Sequence, residues 1–171
     1  TMLKLVGPIV EGLAGIAATQ RARKGGQEID ITERDLPASI VYGTLLIALV
    51  PIAWMLWTFV QGGPVAENFG VAITATLIFV VAIGAVVAAV TGYMAGLVGT
   101  SNSPVSGVGI LSIIVAAVMV ALLFPGHHSD GDTKALVAFA LFATSFVFGI
   151  ALVSNDNLQD LKTGQLVGAT P

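Results

Sequence analysis

Six consecutive residues, His127, His128, Ser129, Asp130, Gly131 and Asp132, place imidazoles beside carboxylates, and both are good ligands for divalent metal ions. The spacing argues against a metal site, because adjacent histidine side chains diverge and rarely meet at one ion. A turn exposed to water uses His, Asp and Gly for solubility alone, and this run reads as such a turn. The chain has no other histidine, so a histidine proton relay within its apolar segments is excluded. Cysteine is absent, which removes disulfides, thiolate metal centres and cysteine nucleophiles. Residues 36–124 hold no His, Lys, Arg or Asp and a single acid, Glu67. Acid-base and covalent catalysis lack their parts there, so the chain reads as a non-enzyme with no cofactor.

Two polar stretches carry what chemistry remains. Residues 99–107 run Gly-Thr-Ser-Asn-Ser-Pro-Val-Ser-Gly without a charge. Backbone that bends near or within a membrane needs Gly and Pro for geometry, and Ser, Thr and Asn to satisfy the N–H and C=O groups that a broken helix frees. In membrane carriers such breaks line ligand sites near the bilayer midplane; a plain tight turn would use the same residues. Residues 155–164 mix carboxamides, carboxylates and Lys162 with Leu158 and Leu161. They read as a membrane-surface helix stopped by Gly164, serving as a cap and anchor or as a polar segment beside a route through the membrane.

The elements that position these stretches follow from composition. With 56% hydrophobic and 10% charged residues, the chain cannot build a water-soluble surface, since soluble domains carry about 25% charged residues. The mean hydropathy of +0.93 is concentrated in residues 36–124, which must meet lipid or other apolar helices. Seven dispersed basic residues in a net charge of -3 form no continuous basic stripe, and no nucleic-acid partner is expected. The first apolar stretch is broken by Gly7, Pro8, Glu11 and Gly12 and lacks the order of a cleavable signal. A start at Thr1 and a stop at Pro171 read as cuts within a longer protein.

The expected fold class is all-α and polytopic, with four transmembrane helices and short interfacial ones. Residues 1–35 read as an interfacial helix, or the frayed end of a truncated spanning helix, opened by Pro8 and closed by Gly25 and Gly26, followed by a polar linker. Residues 38–60 would reach about 34 Å as a helix, enough for a hydrocarbon core of roughly 30 Å. Asp35 and Pro37 suit its start, Trp54 and Trp57 suit an interface, and Pro51 should kink it. In the second span, 71–97, Gly84, Ala88, Gly92 and Gly96 recur every fourth position and form a groove for a neighbouring backbone. Spans at 106–124 and 135–153 form a hairpin. On the last, Phe139, Phe142 and Phe146 are expected to face lipid, and Ala138, Ser145 and Gly149 to face the packed side. Residues 36–153 then make the transmembrane region, and 154–171 a cytoplasmic or membrane-surface segment.

Topology follows from the basic residues. Five of the seven Lys/Arg precede the first span, which places that side and, after four crossings, Lys162 in the cytoplasm. Lys134 alone falls on the outer side.

Three stretches in order, Glu33-Arg34-Asp35-Leu36-Pro37, residues 96–107 from Gly96 to Gly107, and residues 157–171 from Asn157 to Pro171, resemble the bacterial branch of the oligopeptide transporter (OPT) family, which also includes the plant yellow stripe-like carriers of metal chelates. The resemblance extends over most of the chain. It implies an all-helical secondary carrier of the bacterial inner membrane, several times larger than this piece, that moves small peptides or metal-chelate complexes by symport with protons. The remaining helices of that carrier and the lipid bilayer are then its partners. The residues expected to contact substrate or coupling ion are Thr100, Ser101, Asn102, Ser103 and Ser106 in the uncharged connector, with Asn157 and Asp160 beyond the last span. The rival readings are a four-helix scaffold subunit without transport of its own, and a membrane enzyme whose catalytic group lies elsewhere.

Overall fold

The computed structural model describes residues 36–60, 64–98, 105–126 and 128–169. Among these every regular element is a helix: α1 (Ala38–Phe59), a one-turn α2 (Pro64–Glu67), α3 (Phe69–Val98), α4 (Val105–Leu123) and α5 (Asp130–Val167). All but α2 are long and apolar enough to cross a membrane, so the chain is part of an integral membrane protein. The expectations for residues 1–35 and 99–104 fall outside the described residues.

The spans lie where hydropathy puts them, but two helices are longer than their apolar cores. The 30 residues of α3 and the 38 of α5 extend about 45 and 57 Å, beyond the thickness of a hydrocarbon core. At its start, α5 is capped. The Ser129 hydroxyl accepts from the Asp132 N–H at 3.2 Å and donates to Asp132 Oδ2 at 2.8 Å. Asp130 and Asp132 in the first turn complement the helix dipole. The helix therefore begins at Asp130 rather than near residue 135. Its far end corrects a second expectation. Gly164 does not stop it, and residues 155–164 are no separate surface helix but a continuation of the fourth span. The chain ends the helix at Gly168, whose φ of +70° is the left-handed cap conformation. Ala169 N–H then closes back on Gly164 O at 2.9 Å.

Helix α1 starts at Pro37, whose carbonyl accepts from Ile40 N–H at 2.9 Å and Val41 N–H at 3.3 Å. It passes through Pro51 without interruption. Only 6% of its apolar window is buried, so it is a helix apolar all round whose surface meets lipid or other helices.

The core lies between α3, α4 and α5. Gly84 opposes Ile150, Gly92 opposes Leu158, and Ser154 binds the carbonyl of Ala88. Each pair is 66 residues apart, and a constant offset means that α3 and α5 run parallel. The hairpin partner α4 runs antiparallel to α5, with Gly109 against the Phe148 ring. Small residues on α3 leave a groove and α5 fills it with larger side chains, which is how helices approach closely in membranes. Among the described residues Gly96 meets nothing within 4 Å, so the close contact with α5 runs from Gly84 to Gly92 and does not reach it.

The buried stripe of α5 is Leu136, Phe139, Ala140, Ala143, Val147 and Ala151. This reverses the expected faces. Phe139 is 1% exposed, whereas Ala138, Ser145 and Gly149 are exposed. The aromatic flank turns inward because it has partners. Phe142 stacks on Phe59 of α1 at 4.2 Å and 10°, and Phe146 meets Phe142 edge-on at 5.2 Å.

Candidate functional site at the polar end of the α3 and α5 seam

Three of the five helices contribute buried polar atoms, and they fall at two levels of the bundle. The lower level holds Thr76 on α3, Ser112 on α4 and Thr144 on α5, all buried. By the register above, these positions lie within about one turn of one another. Thr144 donates to Ala140 O at 2.8 Å, which is the ordinary way a hydroxyl is satisfied inside a helix. Among the described residues the hydroxyls of Thr76 and Ser112 have no partner.

The upper level lies where the apolar part of α5 gives way to residues 154–160. Ser154 donates to Ala88 O at 2.8 Å, joining α5 to α3 by a side-chain hydrogen bond. Gly92 makes room for it, since a methyl there would come 2.8 Å from Ser154 Oγ. Thr91, buried beside this contact in sequence, donates to Val87 O at 2.9 Å. Asn155 occupies the next place on the stripe of Val147 and Ala151 and is 4% exposed. Its Nδ2 donates to Asp156 Oδ1 at 3.2 Å, and its Oδ1 has no partner among the described residues.

Beside this level a groove of about 590 Å³ follows α5, lined by Ser145, Gly149, Val153, Ser154, Asn157 and Leu158 among others. Its lining is mostly apolar, with Phe146 and Ile150 completing it, and Ser145, Ser154 and Asn157 supply its polar groups; the exposed flank of Leu141, Phe148 and Leu152 beside it has none.

Of the residues singled out from sequence, Asn157 lies in this groove and Asp160 is exposed one turn further on. Ser106 is exposed in the first turn of α4, at a level near Ala151, so the register leaves Asn157 about 9 Å further along the axis. Thr100, Ser101, Asn102 and Ser103 lie outside the described residues. Within the histidine run His127 lies outside the described residues, Ser129 caps α5, and His128 Nε2 lies 3.0 Å from Phe124 O; before it Gly126 has φ +128°. Among the described residues no group of three or more His, Asp or Glu could hold a metal ion.

Sequence reasoning missed Ser154 and Asn155. The signal for Asn155 was present, because it stands four residues after Ala151 on a helical stripe of small apolar residues, so a continuous helix must carry it inward.

The family described as OPT oligopeptide transporter protein matches residues 1–171. A protein of Haemophilus influenzae that carries an oligopeptide-transporter name is 42% identical over 182 aligned residues, which take in 100% of this chain and 28% of that protein. The chain thus spans less than a third of the length of the curated relative it matches. No solved structure matches it.

Proposed function

Because the chain belongs to the OPT oligopeptide transporter protein family, we propose that it forms part of a secondary carrier that moves small peptides, or related metal chelates, across a bacterial inner membrane by symport with protons. The observation that carries this reading is the groove on α5, where Ser154 and Asn157 set polar groups into a mostly apolar wall that includes Phe146, Ile150, Val153 and Leu158. A peptide combines backbone donors and acceptors with apolar side chains, and hydroxyl and amide groups set in an apolar wall can hold it without fixed charge.

The uncharged connector, with Thr100, Ser101, Asn102, Ser103 and Ser106, supplies further hydrogen bonds to substrate or coupling ion. Asn157 and Asp160 do so from α5. Symport needs a group that takes up and releases a proton, and Asp160 is an exposed carboxylate close to the groove. The α3 and α5 seam holds Asn157 and Asp160 in place while the remaining helices move against it.

Uptake of a labelled tripeptide by the full-length carrier in proteoliposomes tests the reading. An inwardly directed proton gradient should accelerate uptake and a protonophore should abolish the acceleration. Asp160→Asn should weaken the response to the gradient while the protein stays intact. Uptake that ignores the gradient would remove proton symport, and the absence of peptide uptake would remove the peptide reading.

A further inference from the structure

We infer that Gly149 sets substrate selectivity, by opening a slot in the α5 groove that takes a bulky apolar side chain of the bound peptide; this rests on the peptide-carrier reading above and deepens it.

Packing explains three of the helical glycines. A Cβ at Gly84, Gly92 or Gly109 would strike a side chain of a neighbouring helix. At Gly149 an added Cβ meets nothing within 4 Å among the described residues, and glycine weakens a helix relative to alanine. Unlike the other glycines with open space beside them, Gly149 lines the groove. What it provides there is room.

The slot has fixed apolar walls. Phe146 and Ile150 are half-buried and line the groove beside Gly149. The Phe146 ring is held edge-on to Phe142 at 5.2 Å, and Ile150 reaches into the space that Gly84 leaves on α3. Neither side chain is free to fall across the gap. Val153 bounds it one turn further along the helix.

The polar groups of the groove are sorted along it. Ser145 donates to Phe142 O at 2.6 Å and Ser154 to Ala88 O at 2.8 Å, so both hydroxyl protons are committed to backbone. The Asn157 amide has no hydrogen-bond partner among the described residues. It stands eight residues after Gly149, about 12 Å along the axis, and an extended chain covers that distance in about three or four residues. A peptide whose backbone pairs with Asn157 therefore brings a side chain over Gly149. The volume of about 590 Å³ lies in the range of small-ligand sites, about 300–1,000 Å³, which likewise set a few polar groups in mostly apolar walls. A lipid tail would fill the apolar part and leave the Asn157 amide unpaired.

Uptake of trialanine, and of its three analogues with one alanine replaced by phenylalanine, tests this in the full-length carrier in proteoliposomes. With the wild-type carrier one analogue should show a KM about 10-fold or more below that of trialanine. Gly149→Leu fills the slot and should erase this preference, while the KM ratios of the other two analogues to trialanine stay as they were. Gly149→Ala adds one methyl in open space and should erase the preference in part, which gives the reading if Gly149→Leu does not fold. A wild-type carrier that takes up trialanine without favouring any analogue overturns the inference. So does a preference that survives intact in folded Gly149→Leu, or in Gly149→Ala where the leucine variant does not fold. Failure of Gly149→Ala to fold would show that a neighbouring helix of the carrier occupies the slot, and overturns it as well. If the wild-type carrier takes up no peptide at all, the function proposed above fails first and this assignment with it.

Discussion

Gly92→Ala would bring a methyl within 2.8 Å of Ser154 Oγ and 3.2 Å of Leu158 Cγ. Ser154 then has to swing away, and the hydrogen bond it donates to Ala88 O at 2.8 Å is lost with the movement. Three effects compete. Crowding a packed site costs about 1–3 kcal/mol. A side-chain hydrogen bond between membrane helices contributes about 0.6 kcal/mol on average and roughly 1.7 at most. Alanine's preference for the helix over glycine returns about 1 kcal/mol. Crowding and the lost bond win, leaving a net destabilisation of about 0.5–2.5 kcal/mol. Ser154→Ala alone should cost about 0.6 kcal/mol. In the double variant the hydroxyl is no longer there to collide, and its bond is lost only once. The pair should therefore be more stable than the sum of the two changes by about 1 kcal/mol or more. Unfolding of the full-length carrier in mixed detergent micelles, followed by tryptophan fluorescence, measures each corner of the cycle. Additivity within about 0.5 kcal/mol would refute the parallel seam described here.

Thr76→Val replaces a buried hydroxyl that has no partner among the described residues by an apolar group of the same shape, and should leave the unfolding midpoint unchanged or raise stability by up to about 1 kcal/mol. A clear loss would reveal a partner for Thr76 in the full carrier. Asn102→Ala should lower peptide uptake several-fold at unchanged protein yield, read from uptake across a concentration series; unchanged KM and maximal rate would make the connector a simple turn. Single cysteines at Gln27 and Lys162 should resist an impermeant thiol reagent added to intact cells and react once the cells are opened, and labelling from outside would invert the topology.

How far the sequence could be read depended on the kind of signal. Long apolar runs made the four spans legible, since hydropathy reports the length of chain that lipid can cover. Helix ends are set by other forces. The Ser129 and Asp132 cap starts α5 before its apolar part begins, and the positive φ of Gly168 ends it after Gly164, so both limits of the fourth helix moved outward. Faces were harder still. Helices that are apolar all round have no periodic pattern to mark an inner side, so the flank of Phe139, Phe142 and Phe146 looked fit for lipid until its stacking on Phe59 fixed its direction. The glycine spacing on α3 was legible because it is specific: Gly84 and Gly92 do receive side chains of α5. For the candidate site, residues 155–164 stood out as polar, yet composition could not tell which amide is buried. Only the continuity of α5 carries Asn155 inward while leaving Asn157 and Asp160 exposed.

The claim on which the account depends most is that the groove of α5 walls the peptide route in the full-length carrier. Cysteines placed singly at Ser145, Gly149, Val153 and Asn157, with Leu141 and Leu152 as controls on the neighbouring flank, measure it directly in membranes through their reaction rates with a water-soluble thiol reagent. The groove positions should react, a saturating tripeptide should slow them several-fold, and the two leucine positions should stay unreactive. Reaction confined to the leucine flank, or groove positions that react equally with and without peptide, would contradict it.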